Sequence, residues 1–159
     1  MDNAIVLRPA RLEDLGVVAR MAEKLLALHH AFDGQRFFMP ESAAEGYAGW
    51  FAQELERTEV VLLVAEREGL LLGYAYGRLE ERDWNQLLDA CGALHDLWIE
   101  PEARRDGVAE ALVLAVVEAL REKGAPRLVL HAAAANQSAQ ALFARLGFRR
   151  TMVEMTCEL

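Results

Sequence analysis

Three apolar runs followed directly by a helical repeat do most to restrict how this chain can fold. Residues 60–66 and 70–80 are rich in Val, Leu, Ala and Tyr and are separated by Arg67-Glu68-Gly69, with glycine where a tight turn needs positive φ. They read as an antiparallel hairpin. A third run, residues 93–99, stops where Pro101 removes a backbone donor. From Val108 onward, Ala111, Leu112, Ala115, Val116, Ala119 and Leu120 recur at three- and four-residue spacing, and Gly124 and Pro126 close the helix. Strands that lead into a long one-faced helix predict an α/β domain, with a mixed, mainly antiparallel sheet flanked by helices.

The flanks fit that plan. Residues 4–8 read as a short strand ended by Pro9, and Leu12, Leu15, Val18, Met21, Leu25 and Leu28 form the stripe of an amphipathic helix with Asp14 near its positive end. A loop carrying His29, His30, Asp33 and the aromatic Phe32, Phe37 and Phe38 follows, and Pro40-Glu41-Ser42 announces a second helix to about Arg57. Residues 81–92 are polar and ambiguous. Residues 128–131 read as a short buried strand, residues 136–146 as a helix capped by Asn136 and ended by Gly147, and residues 148–159 as a closing strand.

With 159 residues, 53% of them hydrophobic, one compact domain spanning residues 1–159 is expected. The formal charge of −8 repels a polyanion, so nucleic acid is not an expected partner and any phosphate site must be local. Cys91 and Cys157 lack ligand spacing, and His29-His30 has no further ligands at metal distance, so no metal is expected. Asp2 and Asn3 replace the basic start of a leader, and no apolar stretch nears the ~20 residues that span a bilayer. A cytoplasmic protein without a membrane partner is the expectation.

Chemistry concentrates in residues 97–109. A strand through Leu97, Trp98 and Ile99 meets Glu100-Pro101, then Arg104, Arg105, Asp106 and Gly107 before Val108, Ala109 and Glu110 open the helix. Unpaired amides at a helix start, small side chains and two guanidiniums make an anion cradle. The competing reading is a plain turn glycine with solvated arginines whose charge Glu102 and Asp106 offset.

Arg104-x-x-Gly107-x-Ala109 after a strand ending in Ile99-Glu100-Pro101 resembles the signature of the GNAT superfamily of N-acetyltransferases. Asn136, Ala139, Leu142-Phe143 and Leu146-Gly147-Phe148 look like that family's later segment, and Leu7-Arg8-Pro9-Ala10 like its start. The resemblance implies acetyl-CoA as cosubstrate, a small-molecule or peptide amine as acceptor, and commonly a homodimer. Apolar Met152, Val153 and Met155 on the closing strand also favour a dimer. By the same resemblance, the main chain of Leu97, Trp98 and Ile99 pairs with the pantetheine arm, and Arg104 and residues 105–110 hold the pyrophosphate. Asn136 touches the arm, and Phe143 lies near the thiol.

Many relatives carry tyrosine where this chain has Phe143, which has no proton to give a leaving thiolate. That departure supports an alternative function, an acetyl-CoA-binding sensor or partner module with little turnover. For the base, His95 and Asp96 occupy the position of an acidic pair in small-amine members, with Glu80 and Glu81 in reserve. Histidine titrates near neutrality, although a satisfied histidine on a half-buried strand explains His95 as well. Strand alternation sends His95 and Asp96 to opposite faces unless a bulge intervenes. The motifs of nucleophile-elbow hydrolases, P-loop proteins, zincins and dinucleotide-binding folds are missing.

Overall fold

A computed structural model describes residues 4–159. Met1 to Asn3, and with them the leader reading at Asp2 and Asn3, lie outside the described residues. The elements run β1 (Val6–Pro9), a 3-10 turn (Leu12–Asp14), α1 (Leu15–Phe32), α2 (Ala43–Glu54), β2 (Val60–Arg67), β3 (Leu70–Glu80) and β4 (Cys91–Ile99). A second 3-10 turn (Pro101–Ala103), α3 (Val108–Glu122), β5 (Leu128–Leu130) and α4 (Gln137–Arg145) complete them. The sheet order is β1-β2-β3-β4-β5, and only the β4–β5 pair is parallel. This is the predicted α/β architecture.

Alternation along the strands divides the core in two. Val61, Ala65, Leu72, Ala75, Leu94 and Ile99 pack against Val108, Leu112, Val113, Val116 and Leu120 of α3 and Phe143 of α4. Leu62, Val64, Tyr74, Tyr76 and Trp98 face the other way, against Leu15, Val18, Met21 and Ala22 of α1 and Phe51 of α2. Leu112 is fully buried, so Leu112→Ala would cost ~2–5 kcal/mol in lost transfer energy and cavity. Glu68 and Gly69 both take positive φ (51° and 80°), a two-residue turn whose twist matches the hairpin strands β2 and β3. At the first helix, the buried Asp14 carboxylate accepts from Arg8 Nη1 at 2.7 Å and from the Arg11 amide at 2.7 Å. These bonds pin α1 to β1. The Arg8 guanidinium holds the Asp14 carboxyl below the usual carboxylate range.

Several boundaries differ from the sequence reading. His29 and His30 stand in the last turn of α1 rather than in a loop, because backbone bonding continues after the apolar stripe ends and Asp33 N closes on His29 O at 3.1 Å. β4 begins at Cys91, and α2 is shorter at both ends than residues 41–57. The closing strand over residues 148–159 does not form: residues 149–159 take no ladder position and residues 151–159 are exposed. A period-two pattern makes a strand only when its backbone pairs with an edge, and this segment pairs with neither β1 nor β5, the edges of the sheet. No described helix is long and apolar enough to cross a membrane.

Candidate active site

The register of β3 on β4 slips by one residue. Tyr76 pairs with Asp96, but Gly77 pairs with Leu94, so His95 is the extra residue of a β-bulge. Leu94 and Leu97 therefore both pack toward α3, and His95 and Asp96 both face the α1/α2 side. A cavity of about 380 Å³ lies there, lined by Tyr47, Trp50, Tyr76, Arg78, Glu80, His95 and Asp96. A larger hollow of about 1050 Å³, lined among others by Trp84 and Lys123, contains neither His95 nor Asp96. The smaller cavity is the one that meets the candidate chemistry.

The carboxylates and the imidazole of this cavity have partners. The His95 ring lies over Tyr76 at 5.6 Å, and its Nε2 is 2.7 Å from Glu80 Oε1. Asp96 accepts from the Tyr74 hydroxyl at 2.9 Å. Burial pushes the Asp96 carboxyl up, offset in part by the Tyr74 bond and by the charges of His95 and His29. Burial, with Asp96 beside it, pushes the Tyr74 hydroxyl well up. Below them, the buried Glu54 of α2 accepts from the Tyr76 hydroxyl and pairs with Arg78 Nη1 at 3.2 Å and Arg57 Nε at 3.1 Å. Burial and the Glu54 bond raise the Tyr76 hydroxyl far above its ordinary value. Arg78 also reaches Glu80 at 3.5 Å, which ties α2, β3 and the bulge into one network.

The sequence reading did not reach Glu54, Tyr74, Tyr76, Tyr47 or Trp50. Tyr74 and Tyr76 stand two apart and Tyr47 and Trp50 three apart, each pair on one face of its element, but pairing them with residues 95–96 needs the register.

The opposite edge of β4 opens into a crevice. β4 and β5 are paired only at residues 92–94 with residues 128–130, and past the bulge β4 continues to Ile99 paired with β3 alone. Glu100 N bonds Leu72 O at 2.8 Å, so by antiparallel alternation the main chains of Leu97 and Ile99 point away from β3 into this gap. The Trp98 side chain instead packs in the α1/α2 core, with its buried Nε1 lacking an acceptor among the described residues. Arg104 turns back: its Nε donates to Ile99 O at 3.0 Å and its guanidinium lies 4.9 Å from the Trp98 ring centre. Its Nε therefore braces β4 instead of facing the loop ahead.

That loop carries Arg105 at φ 73° and Gly107 at φ 79°, left-handed conformations that set the turn into α3. The first helical bond is Ala111 N to Gly107 O at 3.0 Å, and the six amides of residues 105–110 have no acceptor among the described residues. These amides carry the positive end of the helix dipole. Asp106 pairs with Arg67 at 3.3 Å and Glu110 with Arg145 at 3.6 Å, whereas Arg105 is exposed. Val108 is buried beneath, and Ala109 is partly buried against the α3-side core. Asn136 Oδ1 accepts the Ala139 amide at 3.2 Å and so caps α4. Phe143 packs in the α3-side core, edge-on to Phe148 at 5.7 Å. Among the described residues no three His, Cys, Asp or Glu side chains gather as metal ligands.

This arrangement suits an anionic, extended ligand on one side of β4 and a cationic group on the other. An acetyltransferase (GNAT) family model matches residues 23–148 of the chain. The mycothiol acetyltransferase of Paenarthrobacter aurescens is 33% identical over 92 residues, which are 58% of this chain and 28% of that protein, so the chain spans under a third of that relative's length. Among solved structures, aminoglycoside N-acetyltransferase AAC(6')-Iy in complex with CoA superposes with a TM-score of 0.81 at 17% identity, over 100% of this chain and 97% of that one. A Clostridium acetobutylicum predicted acetyltransferase with acetyl-CoA gives 0.74 at 16% identity, covering 96% of each.

Proposed function

The chain belongs to the acetyltransferase (GNAT) family, and on that premise we propose that it moves the acetyl group of acetyl-CoA to the primary amine of a small molecule or peptide. The observation that carries this reading is the gap between β4 and β5, which ends at six unpaired amides. The residues fit the cosubstrate. The amides of residues 105–110 bind its pyrophosphate, with Arg105 at the rim, and the open edge of Leu97 and Ile99 pairs with the amide-bearing pantetheine arm as a strand would. Asn136 stays the cap of α4 beside it.

Acetyl-CoA supplies an activated thioester. The chain supplies position, polarisation and a proton acceptor. The N–H of Leu97, the first past the bulge to point into the gap, polarises the thioester oxygen. The acceptor enters the cavity on the other face as an ammonium, attracted by Asp96 and Glu80 and flanked by the rings of Tyr47, Trp50 and Tyr76. Alkyl amines have pKa values near about 10, so a proton must leave before attack. His95 takes it, directly or through one water, because Glu80 fixes its ring and Asp96 is engaged by Tyr74. The neutral nitrogen attacks the carbonyl carbon and the C–N bond forms, the nitrogen gives its second proton to solvent, the C–S bond breaks, and the thiolate takes its proton from solvent, since Phe143 has none. The reading includes a homodimer in the cytoplasm. Release of free thiol from acetyl-CoA across a panel of amines tests it. Acceptor-dependent release supports the transferase, and cofactor binding without such release would support a binding module instead.

A further inference from the structure

The loop that offers six free amides is not itself basic. Residues 105–110 hold one guanidinium, Arg105, and two carboxylates, Asp106 and Glu110, so the segment is one charge negative where a pyrophosphate has to settle. Arg104 does not mend the deficit, since its Nε is engaged by Ile99 O and its guanidinium lies against the Trp98 ring. A carboxylate near the start of a helix is drawn to the same positive end that an anionic ligand needs. Asp106 and Glu110 are therefore competitors for the site they frame.

Neither competes in this structure. No amide of residues 105–110 donates to either carboxylate among the described residues, and each carboxylate meets an arginine brought in by another element. Asp106 Oδ2 turns to Nη2 of Arg67, the last residue of β2, at 3.3 Å, and Glu110 Oε2 to Nη2 of Arg145 in α4 at 3.6 Å. As braces these pairs are poor: both carboxylate side chains are 46% exposed and each pair has one long contact, the kind of surface ion pair that adds little to stability. Arg67 is the less expected partner, because its Nε is buried without an acceptor among the described residues. A polar atom is left unpaired to bring this guanidinium to Asp106. What the two arginines change is charge, from one negative to one positive at the amides.

We propose that Arg67 is a positioning residue for the cosubstrate: it holds Asp106 off the amides ahead of α3 and neutralises it, which leaves those amides to an incoming phosphate. The effect acts through charge at a water-exposed site, so it weakens as salt rises. It rests on the acetyl-CoA reading, and the test keeps the two apart.

Calorimetric titration of the full chain with CoA, at about 50 mM and about 500 mM salt, measures it. At low salt Arg67→Met is expected to raise Kd about fivefold, Arg67→Lys to stay within about twofold of the parent, and Asp106→Asn to bind at least as tightly as the parent. Arg67→Met combined with Asp106→Asn should return to within about twofold of the parent, and the Arg67→Met loss should shrink at high salt. Equal losses from Arg67→Met and Asp106→Asn would make the pair a brace and overturn the proposal while CoA binding stands. A double variant as weak as Arg67→Met also overturns it, by placing the guanidinium on the phosphate itself. A parent chain that takes up no CoA overturns the acetyl-CoA reading and this proposal with it. If Arg67→Met does not fold, Asp106→Asn decides alone: binding no weaker than the parent supports the proposal, and a fivefold loss contradicts it.

Discussion

Nε2 of His95 stands 2.7 Å from Oε1 of Glu80, the oxygen that Arg78 also approaches, at 3.5 Å. The pair fixes which ring nitrogen faces the cavity. His95→Ala is expected to lower kcat by about 10²–10⁴, the span of general-base effects, with little change in KM for acetyl-CoA. Glu80→Gln keeps a polar partner but loses orientation, and should cost about tenfold. Steady-state thiol release with both substrates varied checks the split; a change confined to the donor KM would sink the assignment.

Asp96 and Asp14 have shifts of opposite sign. The Asp96 carboxyl is raised, so its contribution to stability is present below the ordinary carboxylate value and is lost as pH rises through the folded value. Asp96→Asn should therefore melt higher than the parent at pH 7, and the gap should close at pH 3. Thermal melts across that range decide it, and a variant less stable at pH 7 contradicts the burial argument.

For Asp14 the sign is reversed. Its folded value is lowered by Arg8, so its stabilisation is present above the ordinary carboxylate range and disappears as pH falls through the folded value. Asp14→Asn should cost about 2 kcal/mol at pH 7, the worth of hydrogen bonds to a charged group. Urea titration at pH 7 and pH 3 would show the difference shrinking at the lower pH.

Arg105 sits exposed at the rim of the free amides. Arg105→Glu places a carboxylate where the pyrophosphate is proposed to bind, and a tenfold rise in KM for acetyl-CoA, about 1.4 kcal/mol, is expected with the melting temperature unchanged. Calorimetric titration with CoA gives the same number without turnover.

Phe143→Tyr restores a hydroxyl near the proposed thiol end, and kcat is expected to rise several-fold at pH 7. An unchanged or lower rate would mean that thiolate protonation does not limit turnover.

The hairpin, α3 and the Asn136 cap were legible because each is written in local chemistry: a turn glycine, a three-four stripe, an Asx side chain before a helix. The cradle at residues 105–110 was legible for the same reason. The bulge at His95 was not, since it is a property of two strands in register, and from one strand alone His95 and Asp96 divide between faces. Glu54 gave no signal in sequence because a buried carboxylate looks like any surface glutamate until Tyr76, Arg57 and Arg78 surround it. Residues 148–159 differ for the complementary reason: their pattern is a strand's, but a strand also needs a partner, and none of the five strands pairs with them.

The six amides ahead of α3 have no proton to gain or lose in water. Protons can therefore govern only one of the two substrates. Donor affinity should stay level wherever the phosphate charge itself is constant, while the Asp96 carboxyl, raised by burial, changes charge only on the acceptor's side of the strand. Acidification would leave the donor held and weaken the pull on a cationic acceptor.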